Sequence, residues 1–175
     1  IYTLSLHDAL PIYYRLAAED MVKRLGAEGG EVAVIEGIPG AGQSEARKKG
    51  ALGVLEASPN VRVVSVQPGR WDRNLAFDIA TDLIRAHPDL KGIYCANDVM
   101  ALAAADALAA AGKQDGVLIY GTDFIPEART AIREGKLAGS TTFSQAAWTR
   151  GAVVFALKLA DRKSTRLNSS HIIES

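Results

Sequence analysis

The sequence predicts an α/β protein built on a doubly wound parallel sheet. Between residues 13 and 160, short apolar runs alternate with longer segments of helical period. The apolar runs have no polar face, which is typical of parallel strands that helices cover on both sides. A chain of 175 residues is long enough for one domain with a sizeable core.

The predicted elements follow one another in regular order along the chain. The first helix spans 14–25 and ends at Gly26, a helix-terminating signal. A later helix over 126–134 begins with proline, which favours the first turn of a helix. The predicted strands span 32–35, 61–66, 92–95, 117–120 and 137–142. The remaining predicted helices span 44–57, 73–86, 98–111 and 147–160.

Both ends of the chain differ from this alternating middle. Residues 161–175 are polar, basic and aperiodic, and residues 1–12 have no counterpart in the middle segment. Both ends resemble translated sequencing-adapter sequence, and natural disordered tails are the alternative. Residues 1–12 lack an initiator methionine and the pattern of a signal peptide, so we expect the natural N-terminus to precede them. We therefore predict one lobe over 13–160, flanked by two extraneous or disordered segments.

Composition excludes several classes of function. The 20 basic and 20 acidic residues give a net charge of zero, which argues against a nucleic-acid partner and a polybasic membrane patch. Cys95 is the single cysteine, so neither an intrachain disulfide nor a cysteine-based metal site can form. No apolar run is long enough to span a membrane, so we expect no direct membrane insertion.

Candidate ligand-binding residues follow the predicted strands. In open α/β sheets ligands bind at the carboxyl ends of the strands, where loops lead into helices. Guanidinium, amide and carboxylate groups can form hydrogen bonds with several hydroxyls. An indole can cover the C–H face of a sugar ring. Together such residues suit a neutral polyhydroxylated ligand. The five candidates are Arg47, Trp71, Asn97, Asp123 and Gln145.

Each candidate also has an ordinary structural explanation. A lone arginine one turn into a helix is usually solvated, and a lone tryptophan usually packs in the core. Residues such as Asn97 and Asp98 commonly cap helices, and we predict that Asp98 caps the alanine-rich helix that follows it. The occurrence of these polar side chains after successive strands is what favours a binding site.

Signals for catalysis, a cofactor or a metal are weak. The loop from Gly37 to Ser44 has the glycine spacing of a phosphate-binding loop, but Gln43 stands where that loop needs lysine. No nucleophile elbow is present, and no histidine is placed to activate a serine or cysteine. An acid pair of Asp98 and Asp123 stays open as a glycosidase-like alternative. We predict no catalytic residues, no cofactor and no metal.

Four strings in the middle segment, VIEGIPGAGQSEARKKG, SVQPGRWDR, IYCANDVMA and GTDFIPEAR, carry a family resemblance. In this order they resemble the type I periplasmic sugar-binding proteins of the ribose/allose kind. The resemblance covers about residues 13–160. It implies one lobe of a two-lobed protein that binds a monosaccharide, delivers it to the membrane permease of an ABC transporter, and resides in the periplasm.

The resemblance also implies roles for the candidate residues. Arg47 would hydrogen-bond ring or hydroxyl oxygens, Trp71 would stack on a pyranose, and Asn97 and Asp123 would bind hydroxyls. Gln145 would correspond to a glutamine after the last strand, although the stretch before it is about two residues longer than the family pattern. Because nothing in the chain corresponds to the first lobe, we expect the chain alone to bind weakly or not at all.

The main alternative is the effector domain of a LacI-type transcription repressor, which shares this fold. Such a protein would carry a helix-turn-helix upstream, whereas a binding protein for import would carry a signal peptide there. The GTDFIPEAR string, with Pro126 soon after Asp123, resembles the transport branch more closely. A nucleotide-binding enzyme that uses the Gly37–Ser44 loop is the weakest alternative, since the lysine is missing.

Overall fold

The computed structural model describes residues 6–142 and 155–156 of the chain. Within them, helices and strands alternate from the first helix to the fifth strand. The helices are α1 (Leu6–Leu25), α2 (Gly42–Leu55), α3 (Arg73–Ala86), α4 (Asp98–Ala110) and α5 (Pro126–Arg133). The strands are β1 (Gly30–Glu36), β2 (Val61–Pro68), β3 (Leu90–Cys95), β4 (Leu118–Thr122), β5 (Gly139–Thr141) and β6 (Phe155–Ala156).

The strands form one sheet in the order β2-β1-β3-β4-β5-β6. The first five strands pair in parallel, and β6 pairs antiparallel with β5. From β1 the chain first builds outward to β2, and then returns to place β3 on the other side of β1. The loops after β1 and β3 therefore diverge, and this opens the crevice in which doubly wound sheets bind their ligands.

Alternate residues of the central strands pack into two separate cores. In β1, Val32 and Val34 face α1 and α2, whereas Ala33 and Ile35 face α3, α4 and α5. The same alternation holds in β3, where Tyr94 belongs to the first core. These residues are fully buried, which explains why β1 is apolar throughout its central part. The predicted doubly wound α/β fold is confirmed.

Two predicted helices differ from the structure. Helix α1 begins at Leu6 instead of residue 14, and Pro11 lies inside it. Because proline removes one helical hydrogen bond, it is normally taken as a helix boundary. The helix predicted over 147–160 is wrong at Phe155–Ala156, which form strand β6; the rest of that span lies outside the described residues. The apolar run around Phe155 is compatible with the period of a helix or of a strand, and its pairing with β5 determines that it forms a strand there.

The other boundaries agree to within a few residues, with one instructive shift. Leu137, predicted to begin the fifth strand, is buried just before β5, which starts at Gly139.

No helix in the described part of the chain is both long enough and apolar enough to cross a membrane.

Candidate functional site

Arg47 lies at the centre of the candidate site and joins the ends of three strands. It projects from α2, which follows β1. Its Nη1 donates to the carbonyl oxygen of Ala96 after β3 at 2.6 Å. Nη2 and Nη1 donate to the two carboxylate oxygens of Asp123, after β4, at 2.7 and 3.3 Å. This two-pronged pairing fixes both side chains in one plane, as arginine–carboxylate pairs do.

The Arg47–Asp123 pair is unequally buried. The side chain of Arg47 is 5% exposed, whereas that of Asp123 is 40% exposed. Burial opposes the charge on Arg47, but its hydrogen bond with Asp123 and the attraction of that carboxylate outweigh burial. The pKa of the guanidinium therefore lies above its ordinary value. Arg47 is thus a fixed cation under the site, and Asp123 presents acceptor oxygens to solvent.

Trp71 is brought over Arg47 by a left-handed turn. Arg70 and Trp71 have φ values of 54° and 64°, and the amide of Asp72 closes the turn on the carbonyl of Gly69 at 2.9 Å. Positive φ at both central residues defines the tight I′ type of turn, which non-glycine residues adopt at a cost. The indole lies over the guanidinium of Arg47, with 5.4 Å between the guanidinium carbon and the ring centroid.

The indole of Trp71 also needs the absence of a side chain at Gly37. A Cβ at Gly37 would lie 2.0 Å from Cζ2 of Trp71. Gly37→Ala is therefore expected to push the indole away from Arg47 and to destabilise the fold by about 1–3 kcal/mol, the usual cost of overpacking. The shift of the Trp71 indole N–H resonance and the urea midpoint would measure the two effects.

Gly42→Ala is the matched control for that substitution. A Cβ at Gly42, in the first turn of α2, would meet no atom within 4 Å. We expect this variant to keep the Trp71 resonance and to be as stable as the wild type or slightly more so. Equal behaviour of the two variants would contradict the close packing of Trp71 on Gly37.

The prediction that Asp98 caps α4 is wrong, because Asn97 is the cap. Oδ1 of Asn97 accepts from the amide of Met100 at 2.9 Å. Asp98 instead turns inward and is 1% exposed. Either residue type can cap a helix. A residue distant in sequence determines which of the two does so here, because Oγ of Ser140 donates a hydrogen bond to Asp98 at 2.6 Å and holds it inside.

The burial of Asp98 argues against a catalytic acid pair with Asp123. Its Oδ1 accepts from Ser140 and its Oδ2 from the amide of Ile125 at 2.8 Å. Burial, more than the nearby charge of Asp123, raises the pKa of Asp98 to about 6. Since both oxygens are occupied and the residue is buried, Asp98 does not present a second carboxyl group beside Asp123 to the crevice.

Tyr14 is a site residue that the sequence analysis missed. The guanidinium carbon of Arg47 lies 5.5 Å from the centroid of the Tyr14 ring, about as far as it lies from Trp71. Burial raises the pKa of the Tyr14 hydroxyl, although Arg47 acts against that rise. Tyr14 is in α1, far from the other site residues in sequence, and nothing in its local pattern indicated this contact.

The structure thus brings together most of the predicted set. Arg47 contacts both Trp71 and Asp123 at the carboxyl edge of the sheet. Asn97 directly follows Ala96, whose carbonyl Arg47 contacts. Gln145 lies outside the described residues. The arrangement combines an aromatic surface, a fixed cation, an exposed carboxylate and an amide.

A doubly wound lobe with such a polar and aromatic set at its strand ends is typical of proteins that bind small ligands. Known proteins of similar sequence agree with this class. The model of the family described as "Periplasmic binding protein domain" matches residues 15–164, and the chain belongs to this family. The D-allose-binding periplasmic protein of Escherichia coli K12 is 42% identical over 150 residues, which are 86% of this chain and 48% of that protein.

Further relatives are similar in sequence and structure. The ribose import binding protein of Salmonella typhimurium is 36% identical over 70% of this chain and 41% of its own length. The crystal structure of a periplasmic solute-binding protein of an ABC transporter from Actinobacillus succinogenes, with bound D-allose, has a TM-score of 0.73. That pair is 34% identical over 76% of this chain and 46% of the other. The chain therefore spans about half the length of the relatives it matches.

Proposed function

We propose that the protein to which this lobe belongs binds a monosaccharide and delivers it to an ABC importer. The observation that carries the proposal is the contact cluster of Arg47, Trp71 and Asp123 at the carboxyl edge of the sheet. The names of the relatives support it, since they are binding proteins for allose and ribose rather than enzymes or repressors. We accordingly propose a binding function without catalysis.

The chemistry of the cluster suits the two kinds of surface on a sugar. Asp123 can accept from two adjacent hydroxyls, because Arg47 holds its carboxylate in a fixed plane while leaving it 40% exposed. The indole of Trp71 can cover the apolar C–H face of a pyranose. The amide nitrogen of Asn97 can donate to a ring or hydroxyl oxygen, since only Oδ1 is used by the helix cap.

The proposal includes a second lobe. One edge of a sheet covers one side of a sugar, and the relatives are about twice as long as the stretch that this chain matches. We propose that residues 13–160 form the lobe, that a second lobe supplies the opposite wall, and that hinge closure traps the sugar. By the same family relationship we propose a periplasmic location and a membrane permease as the partner.

The proposed ligand is an aldose of the allose or ribose kind. The solved relatives contain different polyols: one holds D-allose, and one from Bacillus halodurans, 28% identical with a TM-score of 0.72, holds myo-inositol. The flat platform of Trp71 favours a six-membered ring over a smaller one, because it covers more apolar surface.

The test is a thermal-shift panel on the full-length protein with allose, ribose, galactose, glucose, xylose and inositol. A sugar present at a hundred times its dissociation constant adds about 2.7 kcal/mol of stability, which raises the melting temperature by a few degrees. Trp71→Ala is expected to weaken binding about a hundredfold, as the loss of a buried aromatic anchor does. Arg85→Ala, an exposed position on α3, is the control and should keep the wild-type shift. A flat panel for the wild type would contradict the proposal.

A further inference from the structure

The loop that presents Asp123 has an unfavourable backbone. Asp123 has a φ of 110° and Phe124 a φ of 55°. Both are residues with a Cβ, and this region of φ costs such residues of the order of 1–3 kcal/mol. A loop of this kind keeps its shape only where surrounding groups hold it. The groups that hold it therefore decide where the carboxylate of Asp123 points.

Two buried side chains accept hydrogen bonds from the backbone amides of this loop. The amide of Phe124 donates to Oγ of Ser140 at 3.1 Å, and the amide of Ile125 donates to Oδ2 of Asp98 at 2.8 Å. Ser140 in turn donates to Oδ1 of Asp98 at 2.6 Å, so the two acceptors form one unit. The loop is also tied to β5 through the amide of Asp123, which donates to the carbonyl of Thr141 at 2.7 Å.

Asp98 is buried against strand β4, and its position there requires a glycine in that strand. Asp98 is 1% exposed and Ser140 is 3% exposed, so solvent does not replace their hydrogen bonds. A Cβ at Gly121 of β4 would lie 2.2 Å from Oδ1 of Asp98, so only glycine allows the carboxylate to come this close. Burying a carboxylate is costly, and the helix cap that would have kept it at the surface is supplied by Asn97 instead.

We propose that Asp98, together with Ser140, is the positioning residue of the binding site: it fixes the left-handed loop and thereby sets the direction of the Asp123 carboxylate. This inference rests on the proposed function for its effect on affinity. Asp98 does not touch the ligand. It acts through the amides of Phe124 and Ile125, which lie directly after Asp123 in the chain.

The charge of Asp98 matters because the unit needs two acceptor oxygens. Protonation would turn one of them into a donor. The hydrogen bond with Ser140 would then reverse its direction, and the bond from the Ile125 amide would lose the strength that the negative charge gives it. The ionisable groups that act on it are Asp123 after β4 and Cys95 at the end of β3. Burial raises the pKa of Asp98 to about 6. The loop should therefore loosen as the pH falls through that value.

The test measures the loop directly by amide hydrogen exchange at neutral pH, normalised to intrinsic rates. In Ser140→Ala, the protection of the Phe124 and Ile125 amides should fall about tenfold or more, which is the effect of losing a hydrogen bond to a charged unit. The Leu118 amide in β4 reports on general loosening and should keep its protection. Asp106→Asn is the control, because Asp106 is an exposed carboxylate on the same helix as Asp98. The substitution removes only a solvent-exposed pair with Arg73, which contributes little, so the variant should match the wild type.

The second part measures sugar affinity against pH in the full-length protein. Wild-type affinity should fall about tenfold between pH 7 and pH 5, whereas Asp98→Asn should be weak throughout and independent of pH in this range. Unchanged exchange in Ser140→Ala, or a wild-type pH profile in Asp98→Asn, would overturn the inference. The exchange measurement needs no ligand: if Ser140→Ala loosens the loop but the wild type binds no sugar, the positioning role stands and the proposed function falls.

Discussion

Asp123→Ala is expected to destabilise the fold by about 2–3 kcal/mol. Arg47→Met should destabilise it less, by about 1 kcal/mol, which is the cost of leaving the buried carbonyl of Ala96 without its donor. The difference follows from unequal burial. Without Asp123, the guanidinium of Arg47 stays 5% exposed with its charge unpaired. Without Arg47, the carboxylate of Asp123 is already 40% exposed and can be hydrated, and methionine fills much of the volume left behind.

Urea unfolding of both variants at neutral pH would measure this difference. Both substitutions should abolish sugar binding, because each removes half of the fixed pair. Lys136→Met, which breaks the exposed pair with Glu134 ahead of β5, is the control for removing a surface cation and should cost little. Equal losses of stability for Asp123→Ala and Arg47→Met would show that the pair is not asymmetrically buried.

The wild-type protein is expected to gain up to about 3 kcal/mol of stability, relative to Asp98→Asn, as the pH falls from 7 to 4. The pKa of Asp98 is raised from its ordinary 3.8 to about 6 by burial. Between these values the folded state holds a proton that the unfolded state has lost, so protons favour folding as a whole. The relief from burying the charge outweighs the weaker hydrogen bonds in the loop. The shift of about 2 units corresponds to about 3 kcal/mol, which is fully present below pH 4 and is lost as the pH rises through 6.

Parallel urea titrations at pH 7, 5.5 and 4 would measure this effect as the difference between the two proteins. Taking the difference removes the contribution of every other titrating group. Asp106→Asn provides the control, since that carboxylate is exposed. The difference in free energy of unfolding between this variant and the wild type should be the same at all three pH values. Parallel curves for Asp98→Asn and the wild type would mean that Asp98 ionises as an exposed aspartate does.

Much of the fold could be predicted because each strand carries its own signal. Val32, Val34 and Ile35 are buried on both faces of the sheet, so the central part of β1 is an unbroken apolar run. The positions of Arg47, Trp71 and Asp123 followed from one rule, that the carboxyl ends of parallel strands share an edge. Local pattern and topology together were sufficient for these residues.

The rest depended on contacts between residues far apart in sequence. Asn97 and Asp98 are equally good caps, and only Ser140, more than forty positions away, determines which of them turns inward. Pro68 and Gly69 indicate a loop before Trp71, but Arg70 and Trp71 are residues that rarely adopt positive φ, so the left-handed type of the turn could not be predicted. The contact of Tyr14 with Arg47 joins α1 to α2, which pack on the same face of the sheet although β1 separates them in sequence.

The site edge is divided into two parts that share one residue. On the side of β1 and β2, Gly37 and Trp71 form an apolar platform; on the side of β4 and β5, Asp98 and Ser140 fix the loop of Asp123. Arg47 is the residue that contacts both. A substitution in the platform can therefore change the contacts made with a sugar ring while the hydrogen bonds that hold the Asp123 loop stay in place. A mutation of Arg47 would disturb both halves at once, so its replacement should affect ligand binding far more than stability.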